Sequence, residues 1–178
     1  RPQGAALLAA LAVLLWQRRG PRGLPLLAIP VGIFALYPLT LWVWIGRPFQ
    51  FLDAQGLWER SLSPLGPLGG VAQAVHEADW LELAFVVSFL PLAVAAWRML
   101  GTAYGVYAVS ALVIPMSVPS ARLGGLYSFP RFAIVAFPCF LVLGALGRRL
   151  PVHVAVVSVS IAWLGINVTR WALWEWVA

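Results

Sequence analysis

The sequence predicts an all-α integral membrane protein, a polytopic bundle of about six transmembrane helices with one amphipathic helix in an outer loop. Three observations predict it. Of the 178 residues, 62% are hydrophobic and only 10% charged, and the mean hydropathy is +0.88. A soluble domain is about 45–50% apolar and about 25% charged. The apolar residues fall in runs bounded by charge, and backbone groups without water to bond must form helices there. Those runs lack the alternating polar positions of a membrane barrel strand. The same composition excludes disorder.

Taken in order, the predicted helices cover roughly 4–16, 24–45, 80–97, 103–118, 132–147 and 151–168. The first is preceded by Arg1-Pro2-Gln3-Gly4 and has only twelve apolar residues, 5–16. A span needs about 20. No small-residue cleavage site precedes Arg18-Arg19, so a short or truncated span is favoured over a signal peptide. The expectation is a single polytopic domain over 1–178, itself part of a longer protein. Pro30, Pro38, Pro91, Pro115 and Pro138 lie within predicted spans, where each removes a donor and invites a kink or break. Trp80, Trp97, Trp163, Trp171, Trp174 and Trp176 fall near predicted span ends, where indole rings anchor at headgroup level.

Arginine placement suggests the orientation. Arg18, Arg19, Arg22, Arg98, Arg148 and Arg149 occupy short connections without an acid, as cytoplasmic loops do. Arg1, Arg47, Arg60, Arg122, Arg131 and Arg170 share the other side with every acid: Asp53, Glu59, Glu77, Asp79, Glu82 and Glu175. The loops at 46–79 and 119–131 are therefore expected to face outward from the cell membrane. The formal charge of +6 is scattered singly among apolar runs, which argues against nucleic acid as a partner. Cys139 is the single cysteine and cannot form an intrachain disulfide.

The outer loops carry the visible chemistry. In Gly46-Arg47-Pro48 followed by FQFLDAQGLWERS, Pro48 suits a first helical turn. At 100° per residue, Phe51, Ala54, Trp58, Leu62 and Leu65 make one stripe, with Asp53 and Arg60 opposite. That predicts a helix lying in the interface. Asp53, Arg60 and Arg47 either hydrate the rim or line a site. His76, Glu77, Asp79 and Glu82 form a second polar cluster, and one histidine is too little for a metal set. The loop PSARLGGLYSFPRF offers Arg122, Tyr127, Ser128 and Arg131. Arg131 near a helix start would join a guanidinium fork to free N–H groups, which suits a phosphate; the alternative is an arginine snorkelling to the interface.

Several membrane-enzyme signatures are missing. The sequence has no GxSG serine-protease motif and no HExxH. No acid sits mid-span, which weakens a proton-coupled transporter. Asn167-Val168-Thr169 matches a glycosylation triplet at a helix end, read as coincidence.

The run RPFQFLDAQGLWER, followed at a distance by LYSFPRFAIVAFPCFLVLGALGRR, resembles the C-terminal half of PIG-V-type mannosyltransferases. These are the GPI second-mannose transferases and their bacterial relatives. The family's FxxAQxxW segment corresponds to Phe51, Ala54, Gln55 and Trp58. Its SxPRF…AFPxF segment corresponds to Ser128, Pro130, Arg131, Phe132, Ala136, Phe137, Pro138 and Phe140. The likeness covers roughly 46–149. It implies a GT-C type glycosyltransferase that moves a sugar, typically mannose, from a polyprenyl-phosphate carrier to an acceptor glycan or glycolipid on the non-cytoplasmic side. It implies too that the catalytic acid lies in an earlier outer loop, upstream of residue 1, leaving Asp53 as the local carboxylate. On this reading Arg131, Tyr127 and Ser128 hold the carrier phosphate, with Arg122 in the same loop, and Gln55, Trp58, Arg60 and Arg47 shape the outer pocket. No cofactor is implied beyond the lipid-linked donor, and metal dependence is left open. The rival reading is a non-catalytic multi-pass protein, a transporter half or an accessory subunit.

Overall fold

A computed structural model of the chain describes residues 3–174, without the side chains of Gln3 and Gln55. Arg1, Glu175 and Trp176, used above for orientation and anchoring, lie outside the described residues. Among those described, the architecture is helical throughout, with β-type pairing confined to isolated bridges.

Helix α1, Gln3–Arg19, ends at Gly20, whose left-handed φ of +62° reverses the chain. A 3-10 segment, Gly20–Leu27, then lies back along α1. An added Cβ on Gly23 would stand 2.8 Å from the Leu15 carbonyl oxygen, so only glycine admits this approach. Helix α2, Ala28–Ile45, continues antiparallel, with Phe34 beside Gly4 of α1. Gly46 ends α2 in the left-handed region, giving its N–H to the Trp42 carbonyl at 2.9 Å. None of the α2 residues is buried, although the helix is apolar on every side. A helix of that kind with no protein covering it suits a lipid environment.

The packed centre is built from α5 (Trp80–Leu100), α6 (Thr102–Met116) and α8 (Phe137–Leu146), with α1 along α6. Small residues line the contacts: Ala6, Ala93, Ala96, Ala108 and Ala111 are fully buried. Gly101, at φ +106°, turns α5 into α6. An added Cβ on Gly105 would meet the Trp97 Cα at 2.7 Å. Close backbone approach through small residues is how helices associate where no hydrophobic force drives them together. Helix α9, Leu150–Ala172, lies at the edge, held by Trp163 edge-on to Phe85 with centroids 5.0 Å apart.

Among the described residues, three segments are long and apolar enough to cross a membrane: Gly4–Ile45, Trp80–Leu100 and Leu150–Ala172. The first contains both runs expected at 4–16 and 24–45, folded as a hairpin. Helix α6 has 15 residues and α8 only ten, roughly 22 and 15 Å at 1.5 Å per residue, against a core of about 30 Å. The continuous helix expected over 132–147 is corrected: it is broken into α7, Phe129–Ala133, and α8. The chain turns between them, and Pro138 opens α8 where a missing N–H does no harm. The Val135 carbonyl at the break takes the Tyr107 hydroxyl at 2.9 Å.

The amphipathic helix expected through Leu65 is also corrected. Helix α3 covers only Gln50–Gly56, and Glu59 at φ +49° redirects the chain. Trp58, Leu62 and Leu65 remain exposed, while Arg60 turns inward. Helix α4, Pro67–His76, follows.

Candidate functional site

The two loops beyond α2 and α6 are joined by backbone pairing. Residues 59–63 run antiparallel to 117–121. Ser61 N–H donates to the Pro119 carbonyl at 3.2 Å, Ser63 N–H to that of Ser117 at 2.9 Å, and Ala121 N–H to that of Glu59 at 3.1 Å. Arg60 and Ser120 stand opposite each other. Buried Ser120 reinforces the join, its hydroxyl donating to the Trp58 carbonyl at 2.6 Å and accepting the Leu123 N–H at 3.0 Å.

Helix α4 clamps the same loop. Gln73 Nε2 donates to the Ser120 carbonyl and to Glu77 Oε1, each at 2.8 Å, and Glu77 Oε2 accepts the Gly125 N–H at 3.0 Å. The two glycine pairs, Gly69-Gly70 and Gly124-Gly125, permit the contact. A Cβ on Gly125 would lie 2.7 Å from the Ala74 nitrogen, and Gly124 sits at φ +114°. Asp79, just before α5, has its carboxyl pushed above the usual carboxylate range by burial, then by the neighbouring Glu77 charge and their shared hydrogen bond.

Arg60 is half-buried between the loops. Its guanidinium donates to the Tyr127 carbonyl at 3.0 Å, and its Cζ lies 5.5 Å from the Phe132 ring centroid. Burial pulls its pKa below the ordinary value; Tyr127 works against that and the positive charge of Arg131 adds to it. Two cations thus share one end of the bundle, and the Tyr127 carbonyl holds one of them. Arg131 itself is exposed on α7. The free backbone donors expected beside it are not free: Phe129 N–H goes to the Leu126 carbonyl at 2.8 Å and Arg131 N–H to that of Ser128 at 3.1 Å. Only the guanidinium remains for an anion. Ser128 is buried at φ +63°, and its hydroxyl has no hydrogen-bond partner among the described residues.

Next to this pair opens a cleft of about 210 Å³, lined by Asp79, Leu81, Glu82, Leu123, Tyr127, Pro130, Trp163, Asn167 and Arg170. Glu82 sits one turn into α5, near Asp79 and Arg170. Its Oε2 is buried without a hydrogen-bond partner among the described residues.

Of the residues singled out from sequence, Arg60, Tyr127, Ser128 and Arg131 come together, while Trp58 is exposed and tied by its carbonyl to Ser120. Arg47 and Asp53 are exposed around α3, Arg122 is exposed in the second loop, and the Gln55 side chain lies outside the described residues. His76 is exposed at the end of α4, and among the described residues no three His, Cys, Asp or Glu side chains group as a metal set. Sequence reasoning missed that Glu82 shares a cleft with Asn167 and Arg170 of α9. The available signal was an acid placed inside an apolar run, which carries an insertion penalty unless it serves the site. Compared with known protein families, curated proteins and solved structures, the chain matches none.

Proposed function

We propose that this chain is the C-terminal part of a GT-C type glycosyltransferase, a six-span bundle in the cell membrane with a broken fifth span. It transfers a sugar, mannose by the resemblance, from a polyprenyl-phosphate carrier to an acceptor on the non-cytoplasmic side. One observation carries the reading: the two segments that resemble the mannosyltransferases are joined to one another, with Arg60 bonded to Tyr127 and Arg131 beside them. When the bond from the sugar to the phosphate breaks, negative charge grows on the phosphate oxygens. Guanidinium groups held at the edge of a low-dielectric bundle stabilise that charge. Arg60 is committed to Tyr127 and positions the loop, so exposed Arg131 is the group that meets the phosphate. The acid that accepts the proton of the attacking hydroxyl is assigned to a segment preceding residue 1, since Asp53 stands apart from the joined loops.

The test is transfer of radiolabelled mannose from its polyprenyl phosphate by membranes carrying the intact polypeptide. Label should move into lipid or glycan acceptors, and Arg131→Ala should lower the rate by about a hundredfold with unchanged protein in the membrane. No transfer above membranes lacking the protein would favour an accessory or transport role instead.

A further inference from the structure

The cleft at Glu82 has no role in the account above. We propose that it binds a single neutral sugar ring, with Glu82 accepting a hydrogen bond from a ring hydroxyl. The choice of mannose as that sugar rests on the transferase reading; the cleft's chemistry stands separately.

Size comes first. About 210 Å³ admits one pyranose and does not enclose two. The lining comes second. Leu81, Leu123, Pro130 and Trp163 offer apolar surface, while Asp79, Glu82, Tyr127, Asn167 and Arg170 offer polar groups. A sugar ring has the matching duality, with C–H groups on its faces and hydroxyls around its edge. Trp163 is braced by its edge contact to Phe85. Asn167 Nδ2 is bonded to the Trp163 carbonyl at 2.9 Å, and the carboxamide oxygen makes no hydrogen bond among the described residues.

Charge then selects a neutral ligand. A phosphate placed in the cleft would face the carboxylates of Asp79 and Glu82. An ammonium group would face Arg170. A hydroxyl meets neither objection, and it can donate to the carboxyl group that Glu82 contributes to the cleft wall. The Ser128 and Phe129 backbone supports this group from the protein side, and Oε2 is buried away from the cleft, so the ring hydroxyl meets the other carboxyl oxygen.

Position links the cleft to the cation pair. Tyr127 lines the cleft with its side facing α9, and its carbonyl holds Arg60. Pro130 of the lining is followed in the chain by Arg131, so a ring in the cleft would sit beside the segment proposed to meet the phosphate.

The experiment is saturation-transfer difference NMR with methyl α-D-mannopyranoside on the purified intact protein, in a detergent without a sugar headgroup. Saturable binding with a Kd on the order of millimolar is expected. Glu82→Gln, which keeps the side chain's shape, should weaken it about tenfold by loss of the charge-assisted bond. Leu123→Trp should fill the cleft and abolish binding, and Arg148→Ala, exposed in the connection between α8 and α9, should leave it unchanged. No saturable binding by the wild type, or equal binding in both cleft variants, overturns the proposal. Binding that depends on Glu82 in a protein that transfers nothing upholds the cleft and removes only the transferase reading. Transfer with the donor KM unchanged in both cleft variants does the reverse.

Discussion

Arg60 is a charge held by three different contacts: a hydrogen bond to the Tyr127 carbonyl, the face of Phe132, and the strip that pairs it with Ser120. Removing the guanidinium takes a donor from the Tyr127 carbonyl and strips a cation from an aromatic face. Arg60→Ala should destabilise the protein by about 2 kcal/mol, seen as a lower Tm in detergent, and Arg60→Lys should recover only part of it. An unchanged Tm for Arg60→Ala would show that the loops hold without it. The sequence identified Arg60 as a site residue but placed it on the water-facing side of a helix beside Asp53. Helical periodicity was extended past Gly56, where the helix stops, and Glu59 in the left-handed region then turns Arg60 towards the bundle. Ser128 shows the same dependence on backbone path. Its place in a motif suggested a ligand contact, while the fold buries its hydroxyl. A motif names which residues matter, and only the backbone path decides which way each one points.

Among the elements, the long apolar helices were the legible part, because length and hydrophobicity alone define them. Helices α5 and α9 extend only a few residues beyond the boundaries expected at 80–97 and 151–168. The breaks were harder to place. Five prolines were all possible kinks, and the chain separates α7 from α8 just ahead of Pro138, where Tyr107 satisfies the carbonyl that the break exposes. The pairing of 59–63 with 117–121 was illegible, since its residues show no strand alternation and its register depends on two loops meeting. That register makes a sharp prediction. Ser61 and Ser63 each donate one bond, to the carbonyls of Pro119 and Ser117, so Leu62 and Val118 fall opposite each other between them, with Cα atoms about 4.5 Å apart, inside the range a disulfide spans. In a Cys139→Ala background, Leu62→Cys with Val118→Cys should oxidise to an intramolecular disulfide, seen as a mobility shift that reductant reverses. Leu57→Cys with Val118→Cys should not. Equal cross-linking of both pairs would mean the strip is not formed.

At the scale of the whole molecule, apolar surface and charge are separated. Helices α2 and α9 expose apolar side chains such as Ile33, Trp44, Val159 and Ile161, which a bilayer covers and water does not. Exposed Trp80, Trp97 and Trp171 lie near helix ends, in keeping with anchoring at the interface. Arg60, Arg131, Arg170, Asp79 and Glu82 gather at one end of the bundle through the two joined loops. Grouping these residues on one side was legible from sequence, because charge-free spans force loops to alternate between sides. Which of them touch was not, because that depends on glycine pairs and on the pairing of loops far apart along the chain, 59–63 with 117–121.

A lipid-linked donor in the outer leaflet is reachable only if this end faces away from the cytoplasm, so the sidedness of the joined loops is the central claim. It is tested most directly by labelling intact cells with a membrane-impermeant maleimide, using Arg122→Cys and Arg148→Cys separately in the Cys139→Ala background. The account predicts that Arg122→Cys is labelled from outside and Arg148→Cys only after the membrane is opened. Labelling of Arg148→Cys in intact cells, with Arg122→Cys protected, would contradict it.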